Sequence, residues 1–211
     1  DVAELINWSN LDTFQRFLRI VATCAGQTAN YSKMANATGV NIKTIQAWLG
    51  ILEQSYIIFR LPAFFRNFGK RLIKSPKIYF YDTGLLCYLL EIFDTEEYLL
   101  NQNRGAIFEN FVIADAHKSF LHQGHTPNFY YYRDNDQREV DLLYERSDEA
   151  RLYEIKAAAR FRPEMTKPLE KVASYWDRPT KTTLIYQGEE ERLAGKTMLR
   201  NWQDLRWRRK G

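Results

Sequence analysis

The sequence predicts a mixed α/β (α+β) fold in two parts, a winged helix-turn-helix module followed by a domain built on a sheet with a crossover helix. Three observations point there. Apolar residues recur at helical spacing through 12–52 around a glycine turn. Strand-like segments rich in Tyr, Val, Leu and Ile crowd into 129–186. An acidic, polar stretch at 94–104 separates the two patterns. The expected division is therefore 1–93, a linker at 94–104, and 105–211. With 211 residues and 45% hydrophobic side chains, each part can bury a core.

The first helix is expected at 12–25, where Phe14, Phe17, Leu18 and Val21 share a face and Asp12 can cap the start. Gly26-Gln27-Thr28 ends it. A short second helix runs from Ser32 as cap to Ala37, and Gly39 supplies a turn. Asn41 then caps a third helix with Ile45, Trp48, Leu49 and Leu52 on one face. Helix, glycine turn, helix is the helix-turn-helix pattern. Lys43, Thr44 and Gln46 open the third helix off its apolar face, where a recognition helix carries its base-contacting side chains. Residues 55–61 and 78–81 read as two strands flanking a basic loop, which would make a wing. Such a module also serves to bind protein or to space two domains, and the sequence leaves that open.

Asp82 opens a short helix to about Leu90. Beyond the linker, 105–121 is a long amphipathic helix with Phe108, Phe111, Val112 and Ala116 inward. Strands are expected at 129–133, 139–144, 151–156 and 182–186, with a helix at 163–175 between the last two. The order α-β-β-β-α-β gives a sheet with a crossover.

The formal net charge of +4 is unevenly spread. No carboxylate lies between Glu53 and Asp82, a stretch that holds Arg60, Arg66, Lys70, Arg71, Lys74 and Lys77. Interleaved with Phe64, Phe65 and Phe68, these cations favour a polyanion or a protein surface, and a solvated basic loop is the plainer alternative. No apolar run nears the roughly 20 residues of a membrane span. The acidic start Asp1-Val2-Ala3-Glu4 lacks secretory-signal features, so a cytoplasmic location without membrane contact is expected. Cys24 and Cys87 read as buried free thiols. His117, His122 and His125 have no carboxylate or cysteine spaced to complete a zinc site and read as surface residues. Gly195-Lys196-Thr197 resembles the end of a phosphate-binding loop. The glycine required five positions earlier is Glu190, however, and Glu189 to Glu191 would repel phosphate.

One constellation could do chemistry. Glu139-Val140-Asp141 lies in one expected strand and Glu154-Ile155-Lys156 in the next, joined by the polar segment 145–150. Residues two apart in a strand share a face, so Glu154 and Lys156 point one way and Ile155 goes into the core. With Asp141 opposite, two carboxylates and an ammonium converge, a donor set for Mg²⁺ or Mn²⁺ completed by a backbone carbonyl and water. Cross-strand ion pairing on an exposed face is the alternative.

The order Glu109 in a helix, Asp141 in one strand and Glu154-x-Lys156 in the next resembles the PD-(D/E)xK nuclease superfamily, which has the restriction-endonuclease-like fold. From about 14 to 202 the chain is also similar to the C-terminal region of a family of bacterial and archaeal AAA-type ATPases. The residues carrying that likeness are Lys70-Arg71-Leu72, Lys77-Ile78-Tyr79-Phe80-Tyr81-Asp82-Thr83-Gly84-Leu85, Gly105-Ala106-Ile107-Phe108-Glu109-Asn110-Phe111-Val112, Tyr131-Tyr132-Arg133, Glu139-Val140-Asp141 and Glu154-Ile155-Lys156. Where the superfamily signature has proline before the aspartate, this chain has Glu-Val.

The resemblance implies a winged helix and a nuclease-like domain behind a P-loop ATPase domain that this sequence lacks, so ATP would bind only in that missing part. It implies catalytic roles for Glu109, Asp141, Glu154 and Lys156, with Asp141 and Glu154 as ligands of Mg²⁺ or Mn²⁺. The implied partners are nucleic acid, double-stranded DNA foremost, and the ATPase domain; assembly into a homo-oligomer is left open. Lys43, Thr44, Gln46, Arg66, Lys70, Arg71 and Lys74 would contact the nucleic acid. The alternative is a catalytically inactive nucleic-acid-binding, protein-binding or regulatory module of the ATPase.

Overall fold

The computed structural model describes residues 11–64, 75–146 and 148–207. They form a mixed α/β structure that divides into two compact units. The described residues of the first are 11–60 and 75–114; those of the second are 61–64 and, apart from 147, 115–207.

The first unit contains helices α1 (Leu11–Thr23), α2 (Tyr31–Thr38) and α3 (Ile42–Gln54). Strands β1 (Ile58–Leu61) and β2 (Lys77–Phe80) pair as a two-stranded sheet. Helices α4 (Thr83–Leu89) and α5 (Thr95–Leu100) follow, then the opening turns of α6 (Arg104–His122). Phe14, Phe17 and Val21 of α1 pack on Ile45, Trp48, Leu49 and Leu52 of α3, with the Trp48 ring edge-on to Phe14 at 5.4 Å. Asn41 caps α3 as expected, accepting from Thr44 N at 2.8 Å. The cap of α2 is Asn30 rather than Ser32. Asn30 holds the extended conformation a cap needs and accepts from Lys33 N at 2.9 Å, whereas Ser32 already lies in the first turn. Asp12 likewise falls inside the first turn of α1. Gly39, at φ +77°, donates its N–H to Ala35 O and stops α2.

The strand expected from residue 55 begins only at Ile58. Helix α3 exits through Tyr56 at φ +55°, with Ile57 N returning to Leu52 O at 2.9 Å, and this left-handed ending occupies the residues that looked strand-like. Residues 95–100, within the stretch read as linker, form α5, capped by Asp94 on Glu97 N at 2.8 Å.

Asn110 joins α6 to β2. Its Oδ1 accepts from Phe80 N at 2.7 Å, and its Nδ2 donates to Phe80 O at 3.1 Å and to Thr83 Oγ1 at 3.2 Å. A fully buried side chain thus gives Phe80 the pairing that a neighbouring strand would give.

The second unit is organised on a six-stranded sheet in the order β3-β4-β5-β6-β8-β7. The strands are β3 (Phe129–Arg133), β4 (Glu139–Glu145), β5 (Ala150–Lys156), β6 (Thr180–Tyr186), β7 (Leu193–Ala194) and β8 (Thr197–Asn201). The β3, β4 and β5 strands are antiparallel neighbours, β5, β6 and β8 run parallel, and β7 closes the edge antiparallel. The crossover between β5 and β6 is α7 (Lys167–Ala173), preceded by a 3-10 turn at Pro163–Met165. One helix over 163–175 was expected. Pro168 divides it, because a residue without an N–H belongs in a first turn. Leu169, Val172 and Trp176 pack on Val140, Leu143, Ala150 and Leu152. Residues 62–64 lie along β3, with Phe64 N bonded to Tyr131 O at 2.7 Å.

Gly195-Lys196 is the turn between β7 and β8, with Gly195 at φ +61°, so the Gly-Lys-Thr triplet is a hairpin. These two strands were not anticipated. His117, expected at the surface, is half-buried beside Phe129 at a ring distance of 6.4 Å, and burial pulls its imidazole pKa down to about 4.

Asn110→Ala leaves the Phe80 amide and carbonyl unpaired in the core and is expected to destabilise the fold by about 2–4 kcal/mol, read from thermal or urea denaturation. Because the folded pKa of His117 lies below its unfolded value of 6.5, the stability tied to it is complete above pH 6.5 and lost as pH falls towards about 4. His117→Gln should flatten that decline in a series of melting curves, and an unchanged pH profile would contradict the assignment.

Candidate active site

The two strands that carry the acidic motifs part company at the motifs themselves. Pairing of β4 with β5 runs from Glu145 opposite Ala150 to Leu142 opposite Tyr153. One further step would set Asp141 against Glu154, and the ladder stops there. Beyond that point β5 keeps its place beside β6, with Lys156 opposite Tyr186. Meanwhile β4 keeps its place beside β3, with Glu139 opposite Arg133. The sheet therefore forks at Asp141 and Glu154.

A register slip helps to open the fork. Tyr130 faces Leu143 while Tyr132 faces Val140, so two steps along β3 answer three along β4. The extra residue lies at Asp141 or Leu142, and a bulge of this kind re-aims a side chain and ends pairing. Asp141 Oδ2 accepts from Ile155 N at 2.8 Å, so the carboxylate bridges the gap that the lost backbone pairing leaves.

Asp141 and Glu154 are each only 6% exposed. Glu154 Oε1 lies 2.5 Å from Lys156 Nζ, whose side chain keeps 40% of its exposure. Ile155 is buried, as the alternation along β5 requires. The structure thus brings together Asp141, Glu154 and Lys156. Two buried carboxylates and one half-exposed ammonium stand where the β4–β5 ladder ends.

Glu109 belongs to the first unit and is held there. Its Oε1 accepts from Lys77 Nζ at 2.9 Å and from Tyr79 OH at 2.6 Å. The Lys77 side chain is 2% exposed, so Glu109 is the counter-charge of a buried cation. Lys77, Tyr79 and Asn110 were not singled out from the sequence as partners of this helix. The available signal was a lysine immediately before the apolar run Ile78-Tyr79-Phe80, which must find an anion if the strand is buried.

Among the residues expected to meet nucleic acid, Lys43 and Gln46 are exposed at the start of α3. Thr44 is half-buried, its hydroxyl on Asn41 Oδ1 at 3.1 Å. Arg66, Lys70, Arg71 and Lys74 lie outside the described residues. Two other members of the basic block have internal partners. Arg60 Nε donates to Glu53 at 3.0 Å, and Lys77 pairs with Glu109.

The donor chemistry at the fork fits a hard cation. Among the described residues no group of three or more His, Cys, Asp and Glu gathers to hold a metal, so no closed cage of side chains is present among them. Mg²⁺ and Mn²⁺ do not need one, since they accept one or two carboxylates and complete their shells with water and substrate phosphate oxygens. No described helix is long and apolar enough to cross a membrane.

Residues 1–96 match the model of a family described as a domain of unknown function (DUF8612), and residues 104–202 match another, DUF4143. An uncharacterized protein of Mycobacterium bovis is 34% identical over 145 residues, which are 68% of this chain and 32% of the relative. An uncharacterized protein of Mycobacterium tuberculosis matches to the same extent. The chain spans about a third of the length of these curated relatives.

Glu109→Gln removes the counter-charge of a buried lysine. It should cost about 3 kcal/mol of stability in urea denaturation. An unchanged midpoint would show that Lys77 draws its compensation from elsewhere.

Proposed function

We propose that the fork between β4 and β5 is a divalent-metal-dependent phosphodiester-cleaving site acting on nucleic acid, double-stranded DNA foremost. One observation carries this reading. Asp141 and Glu154 are buried at the level where their strands separate, and Lys156 stands on Glu154 at 2.5 Å. Asp141 and Glu154 would hold Mg²⁺ or Mn²⁺, which when bound acidifies water and offsets the charge gathering on the phosphodiester. The Ile155 N–H fixes one Asp141 oxygen and so orients the other. Lys156 carries a half-exposed positive charge beside the two carboxylates, which would steady the anionic oxygens of the substrate. In this reading the sheet domain is restriction-endonuclease-like. Glu109 then serves the first unit, as the partner of the buried Lys77.

The first unit supports the substrate assignment. With its glycine turn, the α2–α3 pair would be a helix-turn-helix, and the two-stranded sheet would be the wing of a winged helix. Lys43 and Gln46 on α3, with Thr44 beside them, would then face the groove, and the basic residues Arg66, Lys70, Arg71 and Lys74 would add phosphate contacts through their charge. The curated relatives are about three times as long as the matched region, which leaves room in such proteins for an AAA-type ATPase domain. We assign ATP binding and the role of intramolecular partner to that domain.

A second reading, a module that binds nucleic acid without cutting it, draws on the small donor set. Two carboxylates already engaged by Lys156 and Ile155 N can be structural. Incubation of the chain with supercoiled plasmid and Mn²⁺ or Mg²⁺ separates the two. Cleavage is expected for the wild type and should fall to background with EDTA or in Asp141→Ala, whose circular dichroism should remain native. Plasmid that is retarded in a gel but never nicked would favour the second reading, and undiminished cleavage by Asp141→Ala would overturn the first.

A further inference from the structure

We infer that Lys156 is the resident counter-cation of Glu154 and governs how readily a divalent ion enters the fork; the inference rests on the fork being the metal site. Glu154 is buried and ionic, and the side chain that offsets it comes from its own strand, two residues on, at 2.5 Å. A buried carboxylate needs such compensation. Asp141, one strand away, accepts from the Ile155 N–H, a neutral donor that need not leave when a cation arrives. Glu139 is paired with Arg133 at 3.4 Å, so Glu139 already has a cation of its own. An ion that binds Glu154 must displace the ammonium of Lys156 from it.

Exposure makes the exchange feasible. Glu154 is fixed in the sheet, but the Lys156 side chain is 40% exposed on a flexible four-carbon stem, so it can turn out to solvent without disturbing the strand. The same movement frees the ammonium to meet a phosphate. Ion entry and the release of the lysine towards the substrate are then one event. Without metal the lysine rests on the carboxylate; with metal it is available for the phosphodiester. A fork held shut by its own lysine has weak affinity for the ion alone and binds it more tightly when substrate phosphate draws the lysine away.

Calorimetric titration of Mn²⁺ into the intact chain, without nucleic acid, tests this. Lys156→Met should bind Mn²⁺ on the order of two- to fivefold more tightly than wild type, the span expected for losing a half-exposed competing ion pair. Lys156→Arg, which keeps the cation, should stay near wild type, and Asp141→Asn should bind no Mn²⁺. Removing the lysine also strips Glu154 of its charge partner, so Lys156→Gln, which keeps a hydrogen-bond donor, serves as a second variant. In both neutral variants Mn²⁺ should raise the melting temperature more than it does in wild type. Equal or weaker affinity in Lys156→Met and Lys156→Gln, with wild type binding and Asp141→Asn not, would overturn the inference and leave the metal site standing. No Mn²⁺ uptake by wild type or by either neutral variant would overturn the site and the inference together.

Discussion

Burying a carboxylate without compensation costs several kcal/mol, and the second unit buries two at one level of its sheet. Much of the surrounding detail answers that constraint. The β4–β5 ladder ends one step early, so the Ile155 N–H is free of the ladder and turns to Asp141. The slip of β3 against β4 supplies the slack that lets β4 leave. Lys156 follows Glu154 at the shortest spacing that puts both on the same side of a strand. The apolar floor of Val140, Leu143, Ala150 and Leu152, covered by Leu169, Val172 and Trp176, holds both strands rigidly enough for these arrangements to persist.

The first unit meets a related constraint in a different way. Lys77 is a cation in an apolar strand, and Glu109 with Tyr79 offsets it. One residue further on, Asn110 satisfies the backbone of Phe80. Consecutive residues of α6 thus settle one charge and one stretch of unpaired strand edge. This explains in physical terms why an acid and an amide stand side by side in the opening turns of a helix. It also shifts the weight of the Glu109 assignment from chemistry to architecture.

Much of this was legible in the sequence where local chemistry decides structure. Asn41 and Gly39 mark the turn between α2 and α3 because a cap and a left-handed residue are local requirements. Phe129–Arg133 reads directly as a strand, and the triplet at Glu154 reads as alternation. Elements fixed by their neighbours were harder to see. A two-residue strand such as Leu193–Ala194 exists only because β8 is there to pair with it. The residues before Ile58 looked like strand but were claimed by the ending of α3. At the site, Asp141, Glu154 and Lys156 could be grouped from spacing alone. The fork, the slip and the hold of Lys77 on Glu109 depend on contacts between residues distant in sequence, which no single segment records.

Diffraction from crystals grown with Mn²⁺, recorded near the manganese absorption edge, tests most directly whether the fork is a cation site. An anomalous peak within coordination distance of both the Asp141 and Glu154 carboxylates, with Lys156 turned away from Glu154, is the predicted result. Crystals showing Mn²⁺ elsewhere, or no peak at the fork while Lys156 stays on Glu154, would contradict it.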